Sequence, residues 1–297
     1  MIHKSKTFLL TLLTLIMFAG NSVICRIALN SHSIDAVSFS ALRIGSGALI
    51  LLAITVFGSR KQHTTNRKSL VSGAMLFLYA ICFSIAYVDI PVGVGAMILF
   101  GSMQITMLVA GLRHGERPRG LAWMGHACAI AGFVCLVKPG LASPAAPSSI
   151  LMATAGAAWG IYSWLGKEAG VNPIAATTNN FLHAVPMALI GWLMLGTEIH
   201  ASGFGVMLAI LSGALGSGVG YILWYSALKG LSTSAAAMVQ SSVPLLVAVG
   251  GAVFLSEPVG VQLAISGALI IGGILLVCGG PALFACLKNQ ILSPSRR

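Results

Sequence analysis

Seven polar side chains stand inside long apolar runs of this 297-residue chain: Asn21, Gln104, His126, Asn179, Asn180, His183 and Gln240. An amide or imidazole in hydrocarbon normally faces the interior of a helix bundle or a watery cavity rather than lipid. Each therefore either bonds a neighbouring helix, a contact worth about 1 kcal/mol, or helps to hold a polar solute. Aromatic residues form a second group. Tyr221, Trp224 and Tyr225 stand at i, i+3 and i+4, one face of a helix, and Trp159 and Tyr162 share another face while Trp164 points elsewhere. Such rings can clasp apolar or aromatic solutes and cations. Rings near span ends also form interfacial belts, the expectation for Tyr225 and Trp164. Tyr79, Trp159 and Tyr221 lie nearer mid-span.

The charged residues are informative by position. Arg43 is the one cation well inside a predicted span, about six residues or ~9 Å from its start. It either snorkels to the interface or serves as a gate or an anion contact. The six carboxylates, Asp35, Asp89, Glu116, Glu168, Glu198 and Glu257, fall at loops or helix ends. With none mid-membrane to carry a proton, facilitated diffusion or exchange down a solute gradient is expected, with His183 or His126 as the weaker proton-coupled route.

The elements that position these residues follow from composition. With 57% apolar and 8% charged residues, 35 glycines and a strongly positive mean hydropathy, the chain cannot cover a soluble surface with polar groups. Crossing roughly 30 Å of hydrocarbon takes about 20 helical residues, and ten such spans fit: 8–28, 37–57, 69–88, 92–112, 120–137, 149–166, 174–195, 203–227, 232–254 and 260–280. The fold class is an all-α integral membrane protein. All but three of the 17 lysines and arginines fall on one side of that arrangement, in alternate loops and at the two ends. Arg26, Arg43 and Lys138 are the exceptions. Cationic loops stay cytoplasmic, so both termini are expected inside. The pI of about 9.8 then needs no nucleic acid, because the cations are spread over short loops. Anionic headgroups serve as counterions, making membrane lipid a partner.

Several roles are disfavoured. The six cysteines (Cys25, Cys82, Cys128, Cys135, Cys278, Cys286) lie in or beside apolar segments without C-x-x-C spacing, as small apolar side chains rather than disulfides or metal ligands. No cofactor is implied. The first span has too long an apolar part for a signal peptide and no small-residue cleavage site, and it is expected to stay in the mature protein. There is no Walker A sequence to power ATP hydrolysis. His126 with a serine nominally offers an intramembrane nucleophile pair, but no G-x-S-x-G surrounds a serine, and the chain is not expected to be an enzyme. In α-helical register, Gly213 with Ser217 and Gly216 with Gly220 form small-x-x-x-small pairs for close packing. Pro186 and Pro244 remove helical hydrogen bonds mid-span and predict kinks.

An offset of 141 residues relates two stretches: Ala96-Met97 to Ala237-Met238, Glu116 to Glu257, Ala86 to Ala227, and Phe83 to Trp224. The chain reads as two related units, 1–140 and 141–297, of five spans each. Since five is odd, the second enters the membrane from the opposite side, and inverted repeats of this kind are the architecture of alternating-access carriers.

The stretch from Ala86-Tyr-Val-Asp-Ile-Pro-Val-Gly-Val-Gly-Ala-Met to Gly115-Glu116-Arg117-Pro118 is one signature. Its partner runs from Tyr225-Ser-Ala-Leu-Lys-Gly-Leu-Ser-Thr-Ser-Ala-Ala-Ala-Met to Ser256-Glu257-Pro258. With Val243-Pro244 and Trp159-Gly160, they resemble the two signature regions of the EamA-type drug/metabolite transporter superfamily. The resemblance implies a ten-helix exporter of small metabolites in the bacterial inner membrane, its cavity lined by helices 1, 3, 4, 6, 8 and 9. It makes Asn21, Gln104 and Gln240 cavity candidates, beside Tyr79, Trp159, Tyr162, Tyr221 and Trp224. The sequence departs from the family in carrying Ala19-Gly20-Asn21 where members often have Trp-Gly, and Met103 where the second half has Pro244. Few cavity charges and several aromatics favour amino acids, their analogues or other modest amphiphiles. A proton-coupled multidrug exporter and a non-transporting scaffold or channel stay open as alternatives, as does the oligomeric state.

Overall fold

Ten helices, separated by polar or Gly/Pro-containing turns, make up the described chain. The computed structural model describes residues 2–58, 67–118, 120–136, 146–168, 172–195, 199–256, 260–261 and 265–277. The first five helices are α1 Ile2–Asn30, α2 Ala36–Phe57, α3 Arg67–Asp89, α4 Val92–Arg113 and α5 Gly120–Leu136. Then follow α6 Ala146–Glu168, α7 Pro173–Leu195, α8 Gly203–Leu228, α9 Thr233–Leu255 and α10 Ile265–Val277. The predicted spans match these helices within a few residues, apart from α1, which starts six residues earlier, and α10. Positions 278–280 of the last predicted span lie outside the described residues, as do Cys278, Cys286, Glu198 and Glu257.

Local chemistry sets the boundaries. Asp35 caps α2, its carboxylate accepting from the amides of Val37 and Ser38 at 3.1 and 2.8 Å. Ser202 and Ser232 cap α8 and α9 through the amides of Gly205 and Ala235, satisfying donors that a helix start leaves open. Gly115 takes a φ of 84° in the turn after α4, where a side chain would be strained.

Six helices, α1 to α4 with α8 and α9, are long and apolar enough to cross a membrane. The 23-residue α6 and α7 are of similar length but fall outside that set, while α5 and α10 are shorter. Large apolar residues cover the outer surface, among them Leu49, Phe57, Leu193, Val253 and Phe254, each at least two-thirds exposed. Such a surface suits lipid, not water.

The two ends of the bundle differ. One end carries Asp35, whose amide donates to His200 O at 2.8 Å, beside an antiparallel bridge between Ile34 and Ala201. The other carries Glu116 and Lys167. Between them the helices interleave: α6 packs on α3 and α4, α7 on α2 and α3, and α1 on α8 and α9. The core therefore lies between the first five helices and the rest.

Two helices depart from the sequence reading. The α8 stretch Ser212–Val219 is π-helical, so its small residues do not sit in α-helical register. A Cβ at Gly213 would collide with Arg43 O and Ser46 Oγ, and one at Gly216 would come within 2.5 Å of Asn21 Oδ1. Helix α9 breaks rather than kinks: it stops at Gln240, turns through Ser241 and Ser242, and resumes at Val243 with Pro244 in its first turn. Pro244 has no N–H to offer the carbonyl of Gln240, four residues earlier. Helix α7, by contrast, runs unbroken through Pro186.

Candidate functional site

Trp159 of α6 is the hub. Its ring lies 5.2 Å from Phe18 edge-on, 5.1 Å from Tyr79 and 4.8 Å from Tyr221, and stacks on Tyr162 at 5.2 Å. Its indole Nε1 donates to Gln240 Oε1 at 2.7 Å, at the residue where the first part of α9 ends. The geometry is that of favourable ring pairs. Beside the hub lies a cavity of about 10 Å³, room for about one water molecule. Helix α1 contributes Phe18, Asn21 and Ser22 to its wall, and Tyr79 and Phe83 come from α3. Leu99 and Phe100 of α4 close it with Trp159 and Tyr221.

The sequence candidates sort into three groups. Asn21, Tyr79, Trp159 and Tyr221 line the cavity. Asn21 is held by Ser212, whose hydroxyl donates to Asn21 Oδ1 at 2.6 Å. Tyr162, Trp224 and Gln240 stand one layer behind, Trp224 donating to Ser163 Oγ at 3.1 Å. Gln104 is further away. Its Nε2 faces His126 Nδ1 at 3.1 Å, its Oε1 accepts from Ser241 Oγ at 3.0 Å, and His126 Nε2 faces Ser234 Oγ at 2.8 Å.

This chain of bonds assigns the imidazole. With Gln104 Oε1 taken by Ser241, its amide N–H donates to His126 Nδ1, so His126 Nε2 carries the proton and donates to Ser234. A general base needs the reverse arrangement, so the Ser234–His126 pair is not poised to make a nucleophile. His183 sits apart, its Nδ1 at 2.6 Å from Asn179 O and 3.3 Å from Ser69 Oγ. Neither histidine lines the cavity.

Arg43 does not snorkel. It is 1% exposed, with Nε donating to Ser217 Oγ at 2.8 Å and Nη2 to the hydroxyls of Tyr79 and Tyr221 at 3.1 and 2.9 Å. Its guanidinium carbon stands 5.1 Å from the ring centres of both Tyr79 and Phe83, within cation–π range. Tyr225 is likewise buried rather than part of a belt, accepting from Asn180 Nδ2 and donating to Tyr162 O, each at 3.1 Å. Trp164, only half-buried, packs on His114 with ring centres 4.4 Å apart.

At the Glu116 end a polar knot joins three helices. Lys167 Nζ at the end of α6 donates to Glu116 Oε1 at 2.9 Å and to Thr233 Oγ1 at 2.8 Å. Glu116, after α4, also accepts from the amides of Thr233 and Ser234 at 3.0 and 3.3 Å. A carboxylate at the start of α9 meets the positive end of that helix. Partial burial alone would raise the Glu116 carboxyl, but the bonds from Thr233 and Lys167 outweigh it and hold it at about 2.

Sequence reasoning overlooks Phe18, Ser22, Leu99, Phe100 and Ser217. For Phe18 a signal exists, since it stands 141 residues before Trp159, and the two rings meet. Ser217 has none, because its bond to Arg43 depends on the π-helical register.

The model of the EamA-like transporter family matches residues 5–138 and again residues 147–279. The chain belongs to this family. An uncharacterized protein of Pseudomonas aeruginosa is 44% identical over 272 residues, 92% of this chain and 94% of that one. The threonine/homoserine exporter RhtA of Escherichia coli is 28% identical over 244 residues, 80% of each chain. A probable terminal-alkyne amino-acid exporter of Streptantibioticus cattleyicolor is 23% identical, with 92% of this chain and 93% of that one covered. One solved crystal structure shares the fold, at a TM-score of 0.76 and 18% identity over 92% of this chain and 97% of its own. This transporter is thus a multi-pass helical membrane protein.

Proposed function

We propose that this transporter is a secondary carrier that exports small amphiphilic metabolites, amino acids or their analogues, by alternating access. The observation that carries the reading is the aromatic-walled cavity between the first five helices and the rest, with Phe18 and Trp159 in ring contact at its centre. A cavity this small is an occluded site, closed around less than a solute, as expected of one state in an alternating cycle. The exporter names of the relatives handling threonine, homoserine and alkyne amino acids support the substrate class and the direction.

An inverted repeat is part of the reading. The family model matches twice with an offset close to 141, and each match spans five helices, which brings the two units into the membrane with opposite orientation. The cation distribution supports cytoplasmic termini, in a bacterial inner membrane. Since the described carboxylates Asp35, Asp89, Glu116 and Glu168 lie at helix ends or in turns and both histidines lie off the cavity, exchange or facilitated diffusion is the favoured energetics.

Counterflow in proteoliposomes tests this. With vesicles loaded with unlabelled L-threonine or L-homoserine, external labelled amino acid should accumulate transiently and saturably, and Trp159→Ala should abolish the accumulation. Absence of counterflow for amino acids and their analogues would sink the substrate class. Non-saturable flux would make the protein a channel, and uphill uptake driven by a pH gradient and lost in His126→Ala or His183→Ala would make it proton-coupled.

A further inference from the structure

Among the described residues, Arg43 is a cation with no carboxylate beside it. Arginine keeps its charge in a protein interior, and an uncompensated charge inside a membrane protein is costly and marks function. Its surroundings supply only neutral acceptors, the hydroxyls of Ser217, Tyr79 and Tyr221, and two ring faces. The remaining nitrogen, Nη1, is buried and has no hydrogen-bond partner. The carboxylates whose side chains are described are engaged elsewhere: Asp35 caps α2, Asp89 accepts from Ser148, and Glu116 holds Lys167. Nor is this cation remote from the cavity, for the tyrosines that bind Nη2, with Phe83 beneath the guanidinium, are three of the cavity's wall residues.

We infer that Arg43 is the carboxylate subsite of the transported solute, which supplies the missing negative charge when it enters. The inference rests on the proposed carrier function and narrows its substrate to solutes with one free carboxylate. A guanidinium binds a carboxylate through two parallel N–H donors, and charge-assisted bonds of this kind are about twice as strong as those to neutral acceptors. Nη1 and Nη2 offer that fork. Taking it requires Nη2 to release the hydroxyls of Tyr79 and Tyr221, which frees the two rings that wall the cavity. Binding the acid and enlarging the cavity thereby become one event. A doubly charged phosphate fits less well, since it calls for a second cation, and none lines the cavity, while Arg26 and Lys167 are bound to the carbonyls of Tyr87 and Val88 and to Glu116. The ring faces are left for the apolar or cationic remainder of the solute.

The test compares free acids with neutralised analogues on the purified full-length protein. Thermal unfolding is followed against L-threonine, L-homoserine and acetate, and against the methyl esters and amides of the two amino acids, at fixed chloride. The free acids should raise the midpoint with half-saturation about tenfold or more below that of their amides, and Arg43→Gln should erase the difference. Tyr221→Phe, which leaves the cation in place, should keep the preference for acids. Equal stabilisation by acids and amides, retention of the preference in Arg43→Gln, or no shift with any of the acids overturns the inference. The wild-type comparison decides even if Arg43→Gln fails to fold. Proteoliposome counterflow of the same compounds separates the two failures: amides carried as well as acids leave the carrier standing without its carboxylate subsite, whereas no counterflow removes the carrier itself.

Discussion

The two walls of the site are built to different rules. On the α6, α8 and α9 side three polar tips of aromatic residues are tied down, Trp159 to Gln240, Trp224 to Ser163, and Tyr225 to Tyr162 O, while the buried hydroxyl of Tyr162 has no hydrogen-bond partner among the described residues. The positions 141 residues earlier are Phe18 for Trp159, Leu99 for Gln240 and Phe83 for Trp224, side chains without a hydrogen-bonding group. All three line the cavity. One wall thus keeps these tips bonded, whereas the other, the free wall, sets Phe18, Phe83 and Leu99, held by packing alone, beside the bonded Asn21 and Tyr79.

Substitutions can break this asymmetry or sharpen it. The largest effect is expected for Trp159→Ala, which removes the hub of the bonded wall and should lower stability by about 3 to 5 kcal/mol, read as a fall in the thermal midpoint in detergent, with loss of counterflow. Phe18→Trp gives the free wall the residue of the bonded one. It should overfill the cavity at a cost of about 1 to 3 kcal/mol and cut the counterflow rate about tenfold while the protein still folds. Gln240→Leu makes the reverse exchange. It strands the buried indole N–H of Trp159, at about 2 kcal/mol, and thermal unfolding should show that loss while Leu99→Met, a near-isosteric change on the free wall, shows less. Trp224→Phe should cost about 1 kcal/mol, because the hydroxyl of Ser163 can turn to another acceptor.

The smallest effect concerns pH. Glu116 is held at about 2, below its ordinary value of 4.5, so its contribution to stability is present above that ordinary value and fades as pH falls from about 4.5 towards 2. Unfolding midpoints measured across this window should therefore drop with acid, and Glu116→Gln should flatten that drop. A curve for the variant that still falls as steeply would remove the knot at α4, α6 and α9 from the account.

Helix positions were readable in the sequence because apolar runs of about 20 residues separated by turn residues have few other structures open to them. The hub Trp159 and the wall residues Asn21, Tyr79 and Tyr221 were readable too, as polar or amphipathic groups in apolar runs. What escaped is the direction in which each helix faces. In a lipid-embedded bundle the outward face is as apolar as the inward one, so hydrophobicity does not mark the axis, and Leu99 or Phe100 looks no different from lipid-facing Ile105. The π-helical stretch was hidden for another reason. Its glycines are compatible with an ordinary helix, and only the close approach of Asn21 and Arg43 from α1 and α2 reveals why they are there. The break in α9 was half visible, as Pro244 without the turn at Ser241 and Ser242.

The size of the cavity has a consequence for the membrane itself. Protons cross proteins quickly along unbroken files of water, and a space for about one water, walled by Phe18, Phe83, Phe100 and Trp159, holds no file. A carrier that rests with its site closed in this way would insulate as well as confine, moving its solute without draining the ion gradients that the same membrane stores.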